Sequence, residues 1–266
     1  MSTLIHSLPT RPLISADLLK LRRRRGLIVI TSLLTLGALL ITYGIIELLH
    51  LFDPAKYGPA GGVMNLGHGA FVLSGLGAVA AAIVAGSAGA GDLDAGVYRD
   101  LVVTGRPRLA LYLARIPAGL SFVLAFVAAG YALAGVATVV FAGSLPAPGT
   151  HVLVMTGLWT LLQVTFYYLH AFGIACVLGS RAYTIGVVLA WRLALTPLLA
   201  SISALGVVRE LVPGVALQSL TPTALGNSAR QGPNIATSAA AVAVVLVVWT
   251  LAALVVGAWR DTTRDA

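Results

Sequence analysis

The chain has 266 residues, of which 58% are hydrophobic and only 10% charged, with a formal net charge of +8. Soluble domains carry about 25% charged residues, so a water-soluble globule is excluded for want of polar surface to cover it. The basic excess does not point to nucleic acid either: residues 22–25, all arginine, directly precede a long apolar stretch and read as an orientation signal that also meets anionic lipid headgroups.

Residues 1–26 come before the first apolar run. Pro12 suits a helix start, and Leu13, Ile14, Leu18, Leu19 and Leu21 gather on one arc against Asp17, Lys20 and Arg22. That pattern predicts an amphipathic helix lying in the headgroup plane; a disordered basic tail is the plainer alternative. Six runs then reach the ~20 apolar residues that a spanning helix needs, at 27–49, 65–86, 116–142, 151–178, 183–207 and 236–259. Backbone amides find no water in hydrocarbon, so each run is expected to close its own hydrogen bonds as a helix. The first, preceded by basic residues and by no convincing small-residue cleavage site, reads as a retained signal anchor.

Basic residues set the orientation. With both termini cytoplasmic, every Lys and Arg falls inside except Lys56, Arg209 and Arg230 outside and Arg192 within the fifth span. Span two is rich in small residues (Gly67, Gly69, Gly75, Gly77, then residues 78–82), which predicts a central helix with close neighbours. The stretch 91–108 between spans two and three carries both signs of charge. Asp92 and Asp94 are placed to cap a short helix running to Val103, with Gly105 and Pro107 ending it, and 108–115 reads as an amphipathic lead into a span that Pro117 kinks. After span five, residues 208–235 are moderately apolar but broken by Pro213, Gly214 and Pro222, as expected of a re-entrant outer segment and not of a span.

Chemistry-bearing motifs are few. No G-x-x-x-x-G-K-[ST] occurs, so ATP hydrolysis is not expected of this chain alone. The single cysteine, Cys176, allows no intrachain disulfide, and the five histidines lack i, i+3 or i+4 partners of ligand type. His170, between Tyr168 and Phe172 in sequence, reads as a hydrogen-bonded packing residue. An intramembrane serine protease would need a base histidine facing Ser74 or Ser87, and span six has none. The intramembrane ionisable residues are Glu47 and Arg192; each marks a substrate path or a local pairing, Arg192 with backbone carbonyls or Thr196.

Taken in order, an amphipathic N-terminal helix, six spans, a polar helix after span two and a re-entrant outer segment resemble the membrane (permease) subunit of ABC-2 type ABC exporters. The fold class expected is therefore an all-α membrane protein of the type V ABC exporter kind, built as one transmembrane domain. In that family the stretch after span two opens on an acidic residue and Gly, continues as a short amphipathic helix, and closes on a Pro-x-Ser-Arg turn and a basic residue. Here Asp94 and Gly96 match the opening, and Arg108 and Arg115 the closing basic positions; Gly105 stands where Pro is usual and Pro107 where Ser is usual. The resemblance implies that Asp94, Gly96, Tyr98, Arg99, Asp100, Arg106 and Arg108 belong to a coupling helix that docks on a separate ATP-binding subunit. ATP and Mg would sit on that partner, with no cofactor on this chain. It also implies a homodimer or heterodimer of permease chains meeting through spans one and five, in a cell (plasma) membrane. Glu47, Arg192 and Thr196 would then line the translocation path, whose apolar walls suit an amphiphilic cargo. A non-transporting anchoring or assembly subunit is the other class that fits the spans and the basic inner face.

Overall fold

In the computed structural model, which describes residues 11–97, 103, 105–229, 235 and 237–264, six helices are long and apolar enough to cross a membrane. A helix α1 (Arg11–Arg23) precedes them. The six are α2 (Arg25–Phe52), α3 (Val63–Gly89), α4 (Arg108–Val140), α5 (Thr150–Leu178), α6 (Arg181–Ser201) and, after a short α7 (Pro213–Ser219), α8 (Ala239–Thr263). The chain is a multi-pass, all-α bundle. The two ends of the described chain, with the helix ends that flank the α3–α4 and α5–α6 connections, lie at one end of it, called here the terminal end; the helix ends that flank the α2–α3, α4–α5 and α6–α8 connections lie at the other, the loop end.

Lipid tails are as apolar as leucine, so burial of apolar surface does not hold such helices together; close packing and interhelical hydrogen bonds do. The sequence of α3 is made for close packing. A Cβ on Gly77 would come within 3.0 Å of Val164 Cγ2 on α5, and one on Gly89 within 2.8 Å of Ala175 Cβ. The most apolar stretches of α3 and α5 are accordingly 67% and 61% buried, against 11% for α8, which makes α3 and α5 the centre. Helix α4 packs on α3, α8 on α5, and α6 across both, while α2 lies against α3 and α4 and α1 against α4.

Four tyrosines stitch these helices by one device. Tyr43 donates to the carbonyl of Asn65 at 2.9 Å, Tyr112 to Leu254 at 2.7 Å, Tyr131 to Leu153 and Tyr168 to Arg115 at 3.1 Å. Each side chain reaches a glycine three or four residues beyond its acceptor, by ring or hydroxyl: Gly69, Gly257, Gly157 and Gly119 in turn. Helix side chains lean toward the N-terminus, so a Cβ one turn on would cover the carbonyl. Glycine uncovers it.

Two boundaries differ from those the sequence suggests. The 108–115 lead is not a separate segment: α4 runs unbroken from Arg108 through Pro117, because Tyr112, Ala114 and Arg115 are buried against its neighbours. Helix α6 stops at Ser201, short of 207; the backbone then turns through Ser203–Leu211, where Gly206 takes a φ of +51°. Two π-turns, Leu33–Gly37 in α2 and Trp191–Leu195 in α6, widen the peripheral helices near mid-length.

Candidate functional site

At the terminal end, charged side chains from four segments converge below the packed core. Gly91–Asp94 is a single helical turn, and it presents the Asp92 carboxylate to Lys20 of α1 and to Arg115 of α4. The Arg115 guanidinium donates to Asp92 at 3.2 Å, both side chains being only 4% exposed. Its other nitrogen lies 3.9 Å from the buried Asp261 carboxylate of α8. Asp17 of α1 lies in the same field. Burial pushes its carboxyl above the ordinary range, and the nearby Arg115 and Lys20 offset only part of that. Removing one member of a buried ion pair costs about 3–5 kcal/mol, so this cluster fixes the relative positions of α1, α4, α8 and the 91–94 turn.

The 91–108 stretch is tied down at both ends. Asp94 Oδ2 accepts the Arg181 amide at 3.1 Å, filling one of the orphan donors at the start of α6. Arg108 donates to the carbonyls of Thr262, at 3.3 Å, and Arg264. Arg264 in turn donates to the carbonyls of Cys176 and Val177 at 3.2 and 3.1 Å, where α5 ends with unpaired carbonyls and a negative dipole end. Gly96 and Gly105 have φ of +68° and +77°, turns that L side chains rarely make. Gly96 ends the turn that Asp92 and Asp94 occupy; most of the stretch over which the expected helix would run on to Val103 lies outside the described residues. Val97 and Val103 are exposed, as is Arg106. Tyr98, Arg99 and Asp100 lie outside the described residues.

The three residues expected along a path are not brought together into one cluster. Glu47, at the loop end of α2, accepts the Ala60 amide at 3.1 Å and so anchors the α2–α3 loop. Arg192 sits on the π-turn of α6, and its guanidinium lies over the Tyr167 ring of α5, 4.5 Å from the centroid. Thr196 is turned away from it and packs on Gly214 of α7, where a Cβ would come within 2.3 Å. Insertion scales charge ~3 kcal/mol for an arginine at mid-membrane, and a desolvated cation–π contact returns about 2 kcal/mol or more. His170, three residues beyond Tyr167 on α5, is buried, stacked on Phe166 at 5.7 Å and edge-on to Trp249 at 5.8 Å; its Nδ1 has no hydrogen-bond partner among the described residues.

Near the loop end, α7 is held well inside the bundle's length. Trp159 of α5 donates to the Leu217 carbonyl at 3.1 Å and Trp249 of α8 to that of Leu211 at 3.0 Å. Both tryptophans stand more than two turns into their helices from that end.

Sequence reasoning assigned Asp92 a capping role and Arg115 a loop-charge role, and it missed their pairing with each other and with Lys20 and Asp261. The signal available was modest: an acid and a base just beyond the ends of apolar runs, where charge is expected anyway. Among the described residues, no three His, Cys, Asp or Glu converge as a metal ligand set. No protein-family model matches the chain, and no curated protein matches it at significant similarity.

Proposed function

We propose that this chain is the membrane-spanning permease subunit of an ATP-driven exporter of the ABC-2 type. The observation that carries the reading is the double anchoring of the 91–108 stretch. A segment that transmits a partner's movement must be rigid where it joins the spans and exposed where the partner grips it. Asp92 joins it to α1 and α4, Asp94 to α6, and Arg108 to the end of α8, while Val97, Val103 and Arg106 between those joints are exposed. Force applied there reaches four helices through charge-assisted hydrogen bonds, which are about twice as strong as neutral ones.

In this reading the terminal end is cytoplasmic, α1 lies in the inner headgroup plane, and residues 91–108 form the coupling segment against an ATP-binding subunit that carries ATP and Mg. Two permease chains, identical or paired with a sister chain, meet through α2 and α6, whose outward faces are apolar and exposed. The α7 region is the re-entrant outer segment, supported by the two tryptophan hydrogen bonds. The chain itself is not an enzyme. Arg192 lies toward the path, Thr196 packs behind it against α7, and Glu47 supports the outer rim.

The test is affinity purification of the tagged chain from its native membrane in mild detergent, with mass spectrometry and an ATPase assay. A stoichiometric ATP-binding protein that is lost when Tyr98, Arg99 and Asp100 are replaced by Ala is the expected result. A chain that emerges alone, or with partners that hydrolyse no nucleotide, overturns the proposal in favour of an anchoring or assembly subunit.

A further inference from the structure

Arg192 lies where a charge is most costly. It sits near the midpoint of Arg181–Ser201, and its head reaches toward Gly75, near the midpoint of Val63–Gly89, where an added Cβ would meet Arg192 Nη2 at 4.0 Å. Half a hydrocarbon core is ~15 Å thick, more than an extended arginine spans, so snorkelling does not bring this guanidinium to water. Its five N–H donors make no hydrogen bond or ion pair among the described residues, and its one partner there is the Tyr167 face.

Among the described residues no carboxylate pairs with Arg192. Of the chain's nine acidic residues, only Glu47 and Asp261 fall on the six long helices. Glu47 is occupied at the loop end by the Ala60 amide, and Asp261 lies at the terminal end beside Arg115. The π-turn Trp191–Leu195 adds a residue to α6 just where Arg192 leaves the backbone. Leu193 and Leu195 beside it are exposed and apolar, so the unsatisfied donors border a surface suited to an alkyl chain.

We infer that Arg192, braced on Tyr167, binds the acidic headgroup, carboxylate or phosphate, of a single- or double-tailed amphiphile whose chain lies along the apolar face of α6. The guanidinium fork matches the two oxygens of either group. A neutral amphiphile offers this fork one uncharged acceptor in place of two anionic oxygens and binds more weakly for that reason.

The experiment uses the purified full-length chain in a neutral maltoside detergent, with the exposed Trp259 replaced by Phe, and reads quenching of tryptophan fluorescence by brominated dodecyl probes. 12-Bromododecanoate and 12-bromododecyl phosphate test the acid; 12-bromododecanol is the neutral control. Either acid is expected to bind about tenfold or more tighter than the alcohol, and Arg192→Gln to abolish the difference. Arg192→Lys keeps the charge without the fork, so it retains the preference at reduced affinity and guards against a variant that fails to fold. Equal affinity for acid and alcohol, or a preference that survives Arg192→Gln, overturns the inference. So does displacement of the acid by acetate or inorganic phosphate at comparable concentration, which would mark a site for small anions. Binding is read on the chain alone, so it stands or falls apart from the exporter reading.

Discussion

Tyr168 on α5 donates its hydroxyl to the carbonyl of Arg115 on α4, directly over Gly119, where a Cβ would lie 2.1 Å from the hydroxyl oxygen. One glycine thus opens a backbone acceptor that one tyrosine uses, and the pair sets the spacing of two spans immediately beside the charge cluster. Gly119→Ala is expected to destabilise the fold by about 1–3 kcal/mol through overpacking, and Tyr168→Phe by about 1 kcal/mol through the lost hydrogen bond. The two losses are not additive: the double variant recovers part of the alanine penalty, because the nearest clashing atom has gone while the ring carbon at 2.8 Å remains. Thermal unfolding in detergent of the four proteins measures this, and strict additivity would show that the contact is not made.

Breaking the Asp92–Arg115 pair tests whether the terminal-end cluster is the joint between the polar stretch and the bundle. Asp92→Ala leaves Arg115 buried without its 3.2 Å acceptor, a loss of about 3–5 kcal/mol. Because Lys20 shares the same carboxylate, α1 should also detach, which limited proteolysis would register as faster cleavage near residues 20–25. A variant that melts as the parent does, with α1 equally protected, would remove the cluster from any account of coupling.

The layers of this protein were not equally legible in the sequence. The six spans were plain because a hydrocarbon solvent forces long apolar runs into helices, and the central place of α3 followed from its Gly and Ala content. The extent of α4 was not, since Arg108 and Arg115 look like loop charge until Asp92, Asp261 and the C-terminal carbonyls are seen to satisfy them. The tyrosine–glycine stitches were invisible for a related reason. Each joins residues from different helices, as Tyr112 joins Leu254 and Gly257, and no local periodicity records such a pair. Arg192 was conspicuous as an intramembrane charge, but its partner was misplaced: an aromatic face on another helix supplied what Thr196, one turn along its own, did not.

Asp17 gives the cluster a pH signature whose sign is fixed by burial. Its carboxyl is held above the ordinary 3.8 chiefly by desolvation, against the pull of Arg115 and Lys20. The folded state therefore binds this proton more tightly than the unfolded state does. Stability contributed here is present below 3.8 and is lost as pH rises through the raised folded value. Asp17→Asn, which cannot ionise, is expected to be more stable than the parent at neutral pH, with the difference shrinking toward pH 4. Unfolding midpoints at a series of pH values decide it; a parent that gains on the variant as pH rises would mean that ion pairing outweighs burial.

Orientation can be read with the protein's own cysteine left in place, because Cys176 is fully buried and gives no background. Ser144 lies exposed at the loop end and Ala95 exposed in the 91–108 stretch at the terminal end. On the exporter reading the terminal end is cytoplasmic, the side on which an excess of Lys and Arg is expected. In intact cells Ser144→Cys should react with a membrane-impermeant maleimide and Ala95→Cys should not, until the membrane is permeabilised. The converse pattern would put the polar stretch outside the cell, where no ATP-driven partner could reach it. It would defeat the exporter reading while leaving the six-span bundle intact, so this labelling separates the fold from the function proposed for it.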